Sequence, residues 1–135
     1  MASKTELVSL IPIRNMNRAI KFYKGMLGAK LQMRAPGAMK NFWASLQVGG
    51  VQVWFIAPMK REKRSLAYHT FMVKDIRKFV RNLQGKGVRF GRAERMDKNT
   101  KVEGPIAFDR VGASAFFNDS EGNLLMVWQS DSSMM

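Results

Sequence analysis

Phe116-Phe117-Asn118-Asp119-Ser120-Glu121-Gly122-Asn123-Leu124-Leu125-Met126-Val127-Trp128 reads as two apolar strands closed by a tight turn of Asp, Gly and Asn. A stretch of the same design, residues 44–55, lies earlier in the chain around Gly49-Gly50, a two-residue hairpin signal. A single hairpin says little. Two of them, each closing a similar run of elements, make the chain a duplication, and function becomes a matter of what lines the space between the copies.

Upstream of each hairpin the same order appears. Residues 7–13 are apolar and β-branched, with Pro12 near the end, which predicts a strand feeding a turn. Asn15 is a good N-cap. Met16, Ala19, Ile20, Tyr23 and Leu27 then recur at helical spacing, Arg18, Lys21 and Lys24 take the other side, and Gly28 stops the helix. Residues 30–35, 42–48 and 51–57 are the three strands that follow. In the second half residues 66–73 form a strand, and Asp75 caps a helix that turns Ile76, Phe79, Val80 and Leu83 inward. Gly85-Lys86-Gly87 ends that helix and residues 88–94 are extended. Residues 96–110 are polar, contain Gly104-Pro105, and are expected to be a long loop before the hairpin of 111–117 and 124–129.

The junctions Ile13-Arg14-Asn15 and Val73-Lys74-Asp75 lie 60 residues apart, the mark of an internal βαβββ repeat. The expectation is an α+β protein: one domain, residues 1–135, built of a first module at 5–58 and a second at 65–130. The linker at 59–64 is too short to let them drift apart, and residues 130–135 are expected to fray.

Composition removes whole classes of chemistry. With no cysteine there is no disulfide framework, thiolate metal site or cysteine nucleophile. No apolar run reaches the roughly 18–20 residues of a membrane span, and residues 1–6 lead into a strand rather than a secretory signal, so the expected location is the cytoplasm. The net charge of +13 brings nucleic acid or another polyanion into consideration, but no helix-turn-helix, zinc-finger or RNP-type pattern accompanies it. Arg18, Lys21, Lys24, Lys74, Arg77, Lys78 and Arg81 fall on the outer helix faces and read as a charged coat. Lys60, Arg61, Lys63, Arg64, Lys98 and Lys101 are the cations expected near the mouth of a binding site.

The ordered set Arg18-Ala19-Ile20-Lys21-Phe22-Tyr23 with Leu27-Gly28, Val73-Lys74-Asp75-Ile76 with Gly87-Val88, and Asp119-Ser120-Glu121-Gly122-Asn123 resembles the vicinal oxygen chelate superfamily of glyoxalases, extradiol dioxygenases and bleomycin-resistance proteins. Asn15 and Ser120 stand where that family more often shows Asp and Pro. The resemblance implies two βαβββ modules whose curved mixed sheets combine around a cup with the helices outside, commonly in a homodimer. In its metal-dependent members four side chains, mostly His and Glu, point into the cup from the first and last strand of each module. Carried onto this chain, those positions are Val8, Trp54, Tyr68 and Met126, with Gln52 taking the place of Trp54 if the register slips by two. None is a good ligand for a hard divalent ion, and no metal or other cofactor is expected.

His69, the single histidine, is one residue past a ligand position, so its ring is expected on the opposite face of its strand, and Glu6 reads as solvated. Ser9, Ser45 and Ser114 lack a positioned base. Asp109-Arg110 is either a surface ion pair or an anion contact, and the sequence does not choose. Alternation points Val8, Leu10, Gln52, Trp54, Ile56, Tyr68, Thr70, Met72, Leu124, Met126 and Trp128 inward. Of these, Gln52, Trp54, Tyr68, Thr70, Met72, Met126 and Trp128 are the expected ligand contacts, an aromatic and methionine surface with a few polar anchors. The same side chains can instead fill the hollow as core. The function read from this is metal-independent binding of an aromatic or amphipathic small molecule, as in the drug-binding resistance proteins. The alternatives are a glyoxalase- or dioxygenase-like enzyme using a divalent metal on vicinal oxygens, and nucleic-acid or polyanion binding through the basic surface.

Overall fold

Helix α1 (Met16–Leu27) starts where Asn15 lends its side chain to the Arg18 amide, 3.0 Å away, and stops at Gly28. Gly28 sits at φ 68°, a left-handed conformation that costs a residue without Cβ nothing. Helix α2 (Ile76–Gly85) starts the same way, with Asp75 accepting from the Lys78 amide at 3.1 Å. The computed structural model describes residues 7–57, 69–95 and 98–130. By contacts the chain divides into two compact units, Met1–Arg64 and Ser65–Met135.

The first unit is β1 (Ser9–Pro12), α1, β2 (Lys30–Arg34), a turn of 3-10 helix (Gly37–Met39), β3 (Trp43–Val48) and β4 (Val51–Ile56). Its sheet has the order β1-β4-β3-β2, with β1 parallel to β4 and the other pairs antiparallel. One face is closed by α1. Ile11, Ala44, Leu46, Val53 and Phe55 pack there against Ala19, Ile20 and Tyr23, all of them buried, and the rings of Tyr23 and Phe55 meet edge to face at 4.9 Å. Each large side chain buried this way contributes roughly 1.5–3 kcal/mol. Arg34 closes the irregular corner, donating to the Lys40 carbonyl at 2.6 Å and to the Asn17 and Asn41 side chains at 2.8 and 2.9 Å.

The second unit is β5 (His69–Met72), α2, β6 (Lys101–Glu103), β7 (Ile106–Phe108), β8 (Gly112–Asn118) and β9 (Leu124–Ser130), in the sheet order β5-β9-β8-β7-β6. The two units share closing bonds at their strand-to-helix junctions. Ile13 N–H donates to the Ile56 carbonyl at 3.0 Å and Val73 N–H to that of Trp128 at 2.9 Å; Ala29 donates to Tyr23 and Val88 to Leu83, both at 3.0 Å. These bonds make Ile56 equivalent to Trp128 and therefore Trp54 equivalent to Met126. Ile76, Val80 and Leu83 of α2 are buried, as are Ala113, Ala115, Phe117, Leu125 and Val127 on the helix side of the sheet.

Two expectations for the second module fail. Residues 88–94 form no strand: Phe90 makes one antiparallel bridge to Phe117, and Gly91 N–H donates to the Phe116 carbonyl at 2.8 Å. The expected loop at 96–110 instead carries the β6–β7 hairpin, whose β7 pairs with Ala113 and Ser114. The free edge of β8 is thus shared, one end taken by Phe90 and Gly91 and the other by β7. The hairpin is fastened to α2 by Arg77, which donates to both Glu103 carboxylate oxygens at 2.7 and 2.9 Å and lies 4.5 Å over the Phe108 ring. Arg77 therefore has a structural task beyond the charged coat assigned to it. Among the described residues no helix is long and apolar enough to cross a membrane.

Candidate functional site

Each sheet has one face under its helix and one face turned the other way. Strand alternation assigns the residues: Val53 and Phe55 lie under α1, so Gln52, Trp54 and Ile56 occupy the open face of the first sheet, joined by Leu10, paired with Trp54, and by Trp43, Ser45 and Gln47 from β3. On the second sheet Leu125 and Val127 lie under α2. Leu124, Met126 and Trp128 occupy the open face with Thr70, Met72, Ser114 and Phe116. Of the expected ligand contacts, the structure brings Gln52 and Trp54 together on the first sheet and Thr70, Met72, Met126 and Trp128 together on the second. Tyr68 and Glu6 lie outside the described residues, and Val8 precedes β1 and is half-buried.

The first open face is aromatic and wired. Trp43 and Trp54 meet edge to face, centroids 5.4 Å apart. Beside them Gln52 Nε2 donates to Ser45 Oγ at 3.0 Å, Ser45 Oγ donates to Gln32 Oε1 at 3.3 Å, and Gln32 Nε2 donates to Gln47 Oε1 at 3.0 Å. Trp54 Nε1 is buried with no acceptor among the described residues. An orphan donor of this kind costs about 1–3 kcal/mol, which an acceptor reaching it restores. Sequence reading missed Trp43, Gln32 and Gln47 and weighed Ser45 only as a serine without a base, although the alternation that selected Trp54 also selects Trp43, Ser45 and Gln47 across the hairpin.

The second open face is apolar. Phe116 pairs across from Met126, Ser114 from Trp128, and Met72 is 66% exposed. Gly112 is required beneath Trp128: a Cβ there would meet the Gln129 carbonyl oxygen at 2.2 Å and Trp128 Cζ2 at 2.9 Å.

His69 pairs with Leu125 on the helix side, so it and the open-face Ser114 occupy opposite faces of one sheet and cannot act as a base and nucleophile pair. Burial pushes its imidazole below the ordinary 6.5, against the opposing pull of the Asp119 charge. Asp119 is itself buried and holds the β8–β9 turn, accepting from the amides of Glu121 and Asn123 at 2.8 Å each and from Asn123 Nδ2 at 2.9 Å. That is why an acidic turn marks the hairpin in sequence. Among the described residues no three His, Cys, Asp or Glu side chains converge, and the equivalent closing-strand positions hold Trp54 and Met126, an indole and a thioether. That donor set does not fit a hard divalent ion.

A cavity of about 230 Å³ lies at the β6–β7 hairpin, lined by Asn99, Lys101, Phe108, Asp109 and Arg110. Lys101 pairs across from Phe108, on the side that Arg77 covers, so this cavity is not part of the open face. Asp109 turns its carboxylate to the amides of Val111 and Gly112 at 3.0 and 3.2 Å, which gives it a turn-forming role.

The glyoxalase/bleomycin resistance protein/dioxygenase superfamily model matches residues 7–127. The chain belongs to that superfamily. No curated protein matches it. Among solved structures it is similar to the fosfomycin resistance protein FosX of Listeria monocytogenes, with 12% identity over 98% of this chain and 95% of that one at a TM-score of 0.71. It is also similar to TnmS3, an antibiotic binding protein of Streptomyces sp. CB03234, with 19% identity over 97% and 99% at 0.67. A superfamily protein of Alicyclobacillus acidocaldarius shares 22% over 96% and 94%, also at 0.67. At these identities the likeness is one of fold. One FosX structure holds Mn(II) with 1S,2S-dihydroxypropylphosphonic acid, so the fold accommodates a metal in that protein.

Proposed function

We propose that this superfamily member binds an aromatic or amphipathic small molecule without a metal, in the manner of a sequestering resistance protein, and works as a cytoplasmic homodimer. The observation that carries the reading is the pair of equivalent positions Trp54 and Met126. They are the last-strand sites of the two modules, and each offers a large polarisable apolar group in place of a carboxylate. On the first sheet Trp43 adds flat surface suited to planar ligands and Gln52 a polar anchor beside Trp54; on the second Phe116 and Trp128 add flat surface and Thr70 a polar anchor beside Met126. The antibiotic-binding neighbour supports the reading by fold and by its own stated role.

Protein stripped with EDTA and titrated with a panel of planar aromatic compounds should show saturable quenching of tryptophan fluorescence. Trp54→Ala should weaken binding about tenfold or more, the effect of removing a central aromatic anchor. The reading is overturned if no compound binds without metal, or if a divalent ion restores turnover of a substrate with vicinal oxygens.

A further inference from the structure

The cavity of about 230 Å³ at the β6–β7 hairpin stands on a frame that is tied down twice. Arg77 holds the hairpin to α2 through both Glu103 carboxylate oxygens and covers part of the Phe108 ring, 4.5 Å from its centre. Directly after Phe108, Asp109 closes the turn into β8. It accepts from the amides of Val111 and Gly112 at 3.0 and 3.2 Å, and its own amide donates to the Gly112 carbonyl at 2.9 Å. The charges in this region are unequally matched. Glu103 is satisfied by Arg77 and one oxygen of Asp109 by the turn, whereas the side chains of Lys101 and Arg110 have no ion-pair or hydrogen-bond partner among the described residues. Both cations line the cavity, and against the one carboxylate of Asp109 they leave a single positive charge in excess.

We propose that this cavity is a second ligand site, separate from the open faces, and that it holds the carboxylate of a small aromatic acid. The planar fork of Arg110 matches the two oxygens of a carboxylate, and the Lys101 ammonium adds a point charge. One positive charge in excess suits a monoanion. A phosphate group carries close to two negative charges, which would stand unbalanced beside Asp109. Cross-strand pairing sets the alkyl stem of Lys101 against Phe108, so an apolar wall adjoins the cations and takes a ring attached to the acid group. Because the hairpin and the turn are already fixed, binding has little to order beyond two side chains. The net charge of +13 draws anions toward the chain as a whole. The site belongs to the second unit and does not depend on the binding proposed for the open faces.

Amide NMR spectra of the intact protein, titrated with benzoate, test the proposal and report at the same time that each variant is folded. Saturable shifts are expected at residues 99–101 and 108–112. Lys101→Gln and Arg110→Gln should each weaken benzoate about threefold, the worth of one partly exposed charge pair. Lys78→Gln, which removes an equal charge outside the cavity lining, should change nothing, and Trp54→Ala should leave these shifts as they are. Neutral benzyl alcohol should bind more weakly than benzoate. The site is overturned if benzoate shifts only open-face residues or none, if benzyl alcohol binds equally well, or if Lys78→Gln costs as much as the two cavity variants. Tighter binding of phenyl phosphate than of benzoate would overturn the carboxylate assignment.

Discussion

The two modules are alike in apolar character where they meet their helices and unlike where they do not. On the helix side Phe55 and Val53 of the first sheet are matched by Val127 and Leu125 of the second, all close to fully buried. On the open side the central cross-strand pair is Ser45 with Trp54 in one module and Phe116 with Met126 in the other. Helix packing demands close-fitting apolar side chains, so both copies keep them. The open faces carry no such demand, and there one copy has an indole pair with an amide relay while the other has phenyl and thioether groups.

That contrast can be broken at its strongest point first. Phe55→Ala and Phe117→Ala each empty a fully buried ring site and should each cost about 3–5 kcal/mol in denaturant unfolding. These are not equivalent positions, so comparable losses would show only that both helix sides are tightly packed; a near-neutral result in either would break the comparison.

A smaller effect sharpens it through pH. His69 has no counterpart in the first module, where Ser9 occupies the equivalent place. Because burial lowers its folded pKa, the unfolded chain takes up a proton first as the solution is acidified. The contribution of neutral His69 is fully present above about 6.5, falls away as pH drops toward the lowered folded value, and is level below it. Unfolding measured across that window should show the slope in the native protein and lose it in His69→Phe.

The smallest expected effect concerns the hairpin that only the second module possesses. The hydrogen bond from Arg77 holds the Glu103 carboxyl below its ordinary 4.5, so the pair contributes above that value and is lost as pH falls through the lowered one. Both groups are exposed, so global stability should barely move in Arg77→Ala. Amide exchange over residues 101–108 should quicken at neutral pH, with the difference from the native protein vanishing in acid.

Local chemistry carried much of this protein. The caps at Asn15 and Asp75, the stop at Gly28, both hairpins and the duplication follow from short-range spacing, because a cap, a turn or an amphipathic stripe is decided by residues within a few positions of one another. Alternation likewise placed Gln52, Trp54, Thr70, Met72, Met126 and Trp128 on the open faces, and His69 opposite them. What escaped was long-range. Lys101-Val102-Glu103 is too short and polar to read as a strand and is one because β7 pairs it and Arg77, 26 residues from Glu103, fastens it. Residues 88–94 have strand-like composition, yet β8 gives them only the bridge at Phe90, since β7 takes the rest of its edge. The relay from Gln52 through Ser45 to Gln32 and Gln47 joins three strands, and only the pairing register could bring those amides within hydrogen-bond reach. Which faces are greasy was written in the order of the residues; which polar atoms meet on them was settled by tertiary pairing, because hydrogen bonds depend on distances that sequence separation does not encode.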